Sequence, residues 1–292
     1  MLADAHVHFH RGFRRAAFLD GALRNFRRGA ADLRLSGPLI GCLLLAESAG
    51  VCCFRLFREG GGEDGWSFAP TAEPESLVAR RGDDRLILVA GRQVVTREGL
   101  EVLALATAAD FPDGQPLDET LDRARAAGAL PVLPWGFGKW WFSRGARVAR
   151  ELAARRGELY LGDNAGRPEL AGLLGSLWGS LWGSGPRLFR AAAESGIPVL
   201  PGSDPLPLPG HAARAGSYGF LLSGALDEDR PARSLVQRVR RVRAAGGRLR
   251  PFGRRSGVVR FCRDQAALRL RWREGGPVSA PLPASGGASS RG

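Results

Sequence analysis

Three of the four histidines in this chain lie close together, at positions 6, 8 and 10. With Asp4 they form the pattern Asp4-x-His6-x-His8-x-His10, whose period of two places the four side chains on one face of a β-strand. Neutral imidazole is a common ligand for zinc, iron and manganese. We therefore expect His6 and His8 to bind a divalent metal, with Asp4 fixing a histidine tautomer. The alternative is a polar strand end without a ligand.

The elements around this motif alternate between strands and helices. Residues 38–46 form an apolar run typical of a strand buried on both faces, and Leu117–Ala127 is patterned as a helix before the strand Leu130–Pro134. Alternation of this kind favours a parallel sheet. We expect an α/β barrel with mostly parallel strands and a hairpin insertion near residues 60–106. An open doubly wound sheet is the alternative, although no glycine-rich nucleotide motif follows a strand.

The first strand, Asp4-Ala5-His6-Val7-His8, resembles the H-x-H strand that opens members of the PHP superfamily, named after polymerases and histidinol phosphatases. Leu43–Ser48 is similar to the family's second strand, with Glu47 at its carboxylate position and Ser48 in place of a histidine. Gly202-Ser203-Asp204 resembles the closing G-S-D-x-H motif. The resemblance runs in order over roughly residues 1–225.

Besides Ser48, four positions depart from the family pattern. Gln93 stands where the family has a bridging glutamate, and Glu101 stands where it has a histidine. Trp135 follows the strand that normally ends in His-Pro, and Leu206 replaces the last histidine. The resemblance therefore implies fewer metal ions than in typical members of the family.

The resemblance implies a PHP-type distorted (β/α) barrel over residues 1–225. The basic, helix-patterned residues 226–274 predict a helical extension packed on the barrel, and the Gly-, Ser-, Ala- and Pro-rich residues 275–292 predict a disordered tail. The resemblance also implies that His6, His8, Glu47 and Asp204 bind Mn, Zn or Fe. The activity implied is hydrolysis of a phosphoester or similar anionic ester by metal-activated water.

Two cations are candidates for positioning that anion. Lys139 is the single lysine of the chain, and it lies in a loop after a strand, where barrels form their active sites. A desolvated lysine can lose its proton, whereas arginine cannot. Arg167 follows another strand end and has the planar guanidinium that holds phosphate or carboxylate in a bidentate pair. A surface lid and a plain turn are the respective alternatives.

Two other functions remain open. The first is a catalytically inactive PHP-like barrel that binds a ligand or partner through the tryptophan-rich loop around Lys139 and the basic C-terminal region. The second is an amidohydrolase-like enzyme, which also begins with H-x-H. That class needs further histidines on later strands, and only His211 lies beyond His10.

Charge is concentrated at the C-terminal end. The chain has a net charge of +13, and residues 230–292 carry 16 arginines against two acidic residues. Nucleic acid could bind there, but the near-exclusive use of arginine is explained as well by genome composition, so this partner is not favoured. The sequence shows no apolar run long enough to span a membrane and no signal-peptide pattern, so we expect a cytoplasmic protein.

Overall fold

The computed structural model describes residues 1–155, 157–169 and 185–273. The expected tail at 275–292 lies outside these residues. The strands are β1 (Leu2–Val7), β2 (Gly41–Leu45), β3 (Ser67–Pro70), β4 (Ser76–Arg81), β5 (Asp84–Val89), β6 (Gly91–Val95), β7 (Glu101–Leu105), β8 (Leu130–Pro134), β9 (Tyr160–Asn164), β10 (Val199–Gly202), β11 (Tyr218–Leu221) and β12 (Arg250–Gly253). The helices are α1 (Arg15–Asp32), α2 (Cys53–Glu59), α3 (Leu117–Ala126), α4 (Ser143–Ala154), α5 (Gly185–Glu194), α6 (Pro231–Ala244) and α7 (Val258–Arg273).

The described strands form two mixed sheets. The larger has seven strands in the order β12-β11-β1-β2-β5-β4-β3, and the smaller has five in the order β10-β9-β8-β7-β6. β1 lies within the larger sheet, parallel to β2 and antiparallel to β11. All six residues of β1 are buried, including the polar residues Asp4 and His6.

The expected barrel of mostly parallel strands is wrong. Neither sheet of the described residues closes into a barrel, and antiparallel pairs join β3 to β4, β4 to β5, β6 to β7 and β7 to β8. Most of these pairs have connections of only a few residues, whereas a parallel crossover needs a dozen or more. The expected hairpin insertion is instead divided between the sheets, because β3, β4 and β5 join the larger and β6 and β7 the smaller.

Apolar side chains fill the space on both sides of each sheet. One core lies between the sheets and includes Ala3 and Ala5 of β1, Leu103 and Val132 of the smaller sheet, and Leu235 of α6. A second core packs α1 and α2 on the larger sheet. A third packs α3, α4 and α5 on the smaller sheet and takes in two tryptophans of the lysine-containing loop. These cores fix the strand ends that carry the polar residues.

The two sheets approach each other at the carboxyl ends of β1 and β2. The amide of Asp204, just after β10, donates to the carbonyl of His6 at 2.8 Å. On the other side, the amide of Gln93 in β6 donates to the carbonyl of Glu47 at 2.9 Å. Residues far apart in the sequence are thereby brought to one junction.

The C-terminal region from residue 226 onward contributes both helix and strand. β12 pairs with β11 at the edge of the larger sheet, and α6 packs against the core that residues of both sheets form. No helix in the parts of the chain that the structure describes is long and apolar enough to cross a membrane.

Candidate metal centre

The histidine motif lies at the end of β1, where the pairing with β2 is irregular between Asp4 and Val7. The His6 and His8 rings meet edge to face, with 4.9 Å between their centroids. Their Nε2 atoms are 3.0 Å apart. The strand end therefore directs both imidazole nitrogens to one point, as the period-two spacing predicts.

Asp204 completes a group of three possible ligands with these histidines. Its Oδ1 lies 3.8 Å from His6 Nε2 and 3.6 Å from His8 Nε2. No other residue among those described joins this group as a further histidine, cysteine or acidic ligand. With sides of 3.0, 3.6 and 3.8 Å, the triangle has a point about 2.0 Å from each atom, against typical metal–ligand bonds of about 2.0–2.2 Å. The donor set therefore fits one divalent transition metal.

Asn164 orients the Asp204 carboxylate. Its Nδ2 donates to Asp204 Oδ2 at 3.0 Å and to the carbonyl of Trp135 at 2.8 Å. This leaves Asp204 Oδ1 directed toward the histidines. Asp204 has a φ of 46°, a left-handed conformation that aspartate tolerates better than most residues.

Burial sets the protonation state of His8. Burial, followed by the charge of neighbouring His6, lowers the pKa of His8 to about 3, so its ring is neutral at neutral pH. The negative charge of Asp204, followed by a hydrogen bond with the backbone of Ala46, opposes this shift. Neutral imidazole is the form that binds a metal, and a hydrogen bond to its other nitrogen holds the ring in place. The side chain of Gln93 also contacts the histidine pair, with its Oε1 3.2 Å from His6 Nε2.

Asp4 holds the backbone of the centre and makes no hydrogen bond to a histidine ring in the described structure. Its carboxylate accepts from the amides of His6 at 3.2 Å, Ser203 at 2.8 Å and Gly216 at 2.8 Å. Burial raises the pKa of Asp4 to about 6, against these hydrogen bonds. The sequence pattern predicted that Asp4 fixes the tautomer of a histidine. In the structure its carboxylate instead links β1 to the segment after β10 through backbone hydrogen bonds.

Glu47 lies outside the three-residue group. Its Oε1 accepts from the amide of Phe54 in the first turn of α2 at 2.5 Å, and its Oε2 lies 3.1 Å from Arg92. Burial raises the pKa of Glu47, while the Phe54 hydrogen bond and the Arg92 charge lower it. Both carboxylate oxygens are thus engaged by the protein itself.

Lys139 and Arg167, the two candidate cations, each form an ion pair within the protein. Lys139 Nζ lies 3.0 Å from Glu101 Oε1. Arg167 forms a bidentate pair with Asp163, at 2.6 and 2.7 Å, and lies over the Phe189 ring. Each cation therefore has a carboxylate partner within the protein.

His211, the one histidine outside the motif at residues 4–10, belongs to a separate cluster. Its Nδ1 accepts from the amide of Leu206 at 3.1 Å, and its Nε2 lies 3.6 Å from Asp264 Oδ2. Arg214 contacts both ring nitrogens and pairs with Asp264 at 2.9 Å. Burial, followed by the Arg214 charge, lowers the pKa of His211 to about 4.

Sequence reasoning missed the cleft beside the centre. It has a volume of about 690 Å³, and its wall includes His8, His10 and Glu47. The loop before α1 and the helix α7 also contribute, at Arg11, Phe13, Arg14, Leu268 and Arg271. Residues 11–14 directly follow the histidine motif, and this proximity was the one signal available in the sequence.

Comparison with known proteins gives a distant structural likeness. No protein-family model matches the chain, and no curated protein matches it. The crystal structure of PsfC from Pseudomonas syringae PB-5123 has a TM-score of 0.49 and 13% identity, covering 94% of this chain and 98% of that chain.

Proposed function

We propose that this protein is a metal-dependent hydrolase of a phosphoester or a similar anionic ester, with one divalent metal held by His6, His8 and Asp204. The observation that carries the proposal is the convergence of three ligand atoms from two distant segments around a point about 2.0 Å from each. The resemblance of these segments to PHP motifs supports the same reading. Mn, Zn and Fe are the candidate metals.

A divalent ion in this position supplies a Lewis acid for a phosphoryl or carbonyl oxygen and lowers the pKa of water. In the reaction, the oxygen of water bonds to phosphorus, the ester P–O bond breaks, and the proton of water passes to the leaving alcohol. The chain's residues would do the rest. Asn164 keeps the Asp204 carboxylate directed at the centre, and the arginines of the cleft attract the anion.

A second candidate is a non-catalytic PHP-like protein that binds a ligand or partner. The specific observation in its favour is that Glu47, Lys139 and Arg167 all have partners within the protein. A second metal and a dedicated anion clamp would need such groups free. A single metal can still bind an anionic ligand without hydrolysing it.

Metal analysis tests the proposal. Protein purified without chelators should contain about one equivalent of Mn, Fe or Zn, and a His6→Ala/His8→Ala variant should contain far less. The matched control is His211→Ala, which removes a buried histidine outside the centre. Metal that is absent, or that persists in the double variant, would overturn the proposal. A panel of phosphoesters then separates hydrolysis from binding.

A further inference from the structure

The cleft beside the metal centre is much larger than a phosphate group requires. Its volume of about 690 Å³ falls within the range of roughly 300–1,000 Å³ typical of pockets for drug-sized ligands. His8, one of the three candidate ligands, lines the cleft together with His10, so the cleft adjoins the metal centre at His8. An anion held at the centre alone would leave most of this space to water.

The rest of the cleft wall is largely apolar. Phe13 is half-buried, and its ring meets the His10 ring edge to face at 5.1 Å and the Phe9 ring at 6.0 Å. Leu208 lies between two prolines of the loop after β10, and Leu268 comes from α7. Aromatic and aliphatic side chains in such a wall favour an apolar ring, because its burial removes apolar surface from water.

Arginines give the same cleft a positive charge. Arg11, Arg14 and Arg271 line it, and Arg271 donates to the carbonyl of Pro207, which also lines it. Arg14 also pairs with exposed Asp64 at 3.1 Å, a contact that solvent screens. The acidic residue in the wall, Glu47, is neutralised by Arg92 at 3.1 Å. The charge therefore suits an anionic ligand with an apolar body.

We infer that the substrate or ligand is a phosphate monoester of a bulky aromatic alcohol. Its phosphoryl group lies at His6, His8 and Asp204, and its ring system lies against Phe13, Leu208 and Leu268. The inference rests on the proposed function for the position of the phosphoryl group. It adds that the cleft selects the size and apolar character of the alcohol.

Binding of two phosphonates, which cannot be hydrolysed at the ester position, tests this inference. Calorimetric titration compares 1-naphthylphosphonate with methylphosphonate on the metal-loaded protein. We expect the naphthyl compound to bind at least about tenfold more tightly, because its rings bury apolar surface in the cleft. Equal dissociation constants would overturn the inference.

A cleft-filling variant localises the effect. Ala17 is exposed on α1 and lines the cleft, so Ala17→Trp should block it without disturbing a core. The matched control is Ala31→Trp, at an exposed position of the same helix outside the cleft. The naphthyl preference should disappear in Ala17→Trp and persist in Ala31→Trp, with metal content unchanged in both. A preference that survives in Ala17→Trp contradicts the assignment.

The metal analysis and the phosphonate titrations together separate a failure of the proposed hydrolase from a failure of the cleft assignment. If the protein binds no metal but still prefers the naphthyl compound in an Ala17-dependent manner, the proposed hydrolase fails and the cleft assignment stands. If it binds metal at the three-residue centre but shows no preference, the cleft assignment fails and the proposed function stands.

Discussion

The backbone amide of Asp204 donates a 2.8 Å hydrogen bond to the carbonyl of His6. The side chains of the same two residues face each other, with Asp204 Oδ1 3.8 Å from His6 Nε2. The main chain thus fixes the spacing of two candidate ligands that are almost two hundred residues apart in the sequence. This arrangement allows a ligand to be removed while the backbone link is kept.

Replacing Asp204 with asparagine should weaken metal binding at least about tenfold, because a neutral amide replaces the carboxylate ligand. The fold should persist, since asparagine tolerates a φ of 46° and the amide-to-His6 hydrogen bond remains. Metal competition with a chelator and thermal unfolding measure the two effects. Glu101→Gln is the control, because Glu101 pairs with Lys139 and is not one of the three grouped ligands. Unchanged affinity in Asp204→Asn would remove Asp204 from the ligand set.

Gly202 allows the close approach of β10 to β1. A Cβ at this position would lie 2.4 Å from the His6 Cβ and backbone nitrogen. Gly202→Ala should therefore lower the free energy of unfolding by about 1–3 kcal/mol and weaken metal binding, because the strands must separate at the centre. Denaturant unfolding and metal content test this. Gly157→Ala is the control, since a Cβ at Gly157 meets nothing within 4 Å.

Glu47→Gln decides whether Glu47 is a ligand, as the sequence resemblance implies. Its carboxylate holds the Phe54 amide and Arg92, so we expect unchanged metal content and a loss of about 1–3 kcal/mol of stability. Elemental analysis and denaturant unfolding give the two readouts. Loss of metal in this variant would place Glu47 in the centre after all.

His211 should make stability depend on acid pH. Its pKa is lowered to about 4 from an ordinary value near 6.5, so the folded state favours the neutral ring. The free energy of unfolding is then highest above about pH 6.5 and falls as pH drops toward 4, because the unfolded chain binds the proton more readily. Denaturant unfolding between pH 7 and pH 4 measures this.

His211→Asn provides the reference for that measurement. Asparagine can still accept from the Leu206 amide but does not titrate in this range. The charged neighbours Arg214, Arg260 and Asp264 are the same in both proteins, so the difference isolates the ring. A parallel pH dependence in the two proteins would show that His211 is not its source.

The local pattern of apolar and polar residues in the sequence determined several individual strands and helices. The strand predicted at Leu130–Pro134 is β8, and the helix predicted at Leu117–Ala127 ends one residue earlier, at Ala126. The pairing of His6 and His8 also followed from sequence, because side chains two residues apart share a strand face. Short strands such as β11 and β12 were missed, since four-residue runs without clear alternation carry little signal.

Tertiary structure alone decided which strands are neighbours and which carboxylates reach the histidines. Apolar periodicity reports burial but not pairing direction, so a barrel of mostly parallel strands was expected where two mixed sheets exist. Asp204 joins the centre because β10 ends beside β1, whereas Glu47 is engaged by the start of α2 and by Arg92. Both were equal candidates in the sequence, because a ligand set depends on distances of a few ångströms that only packing between distant segments fixes.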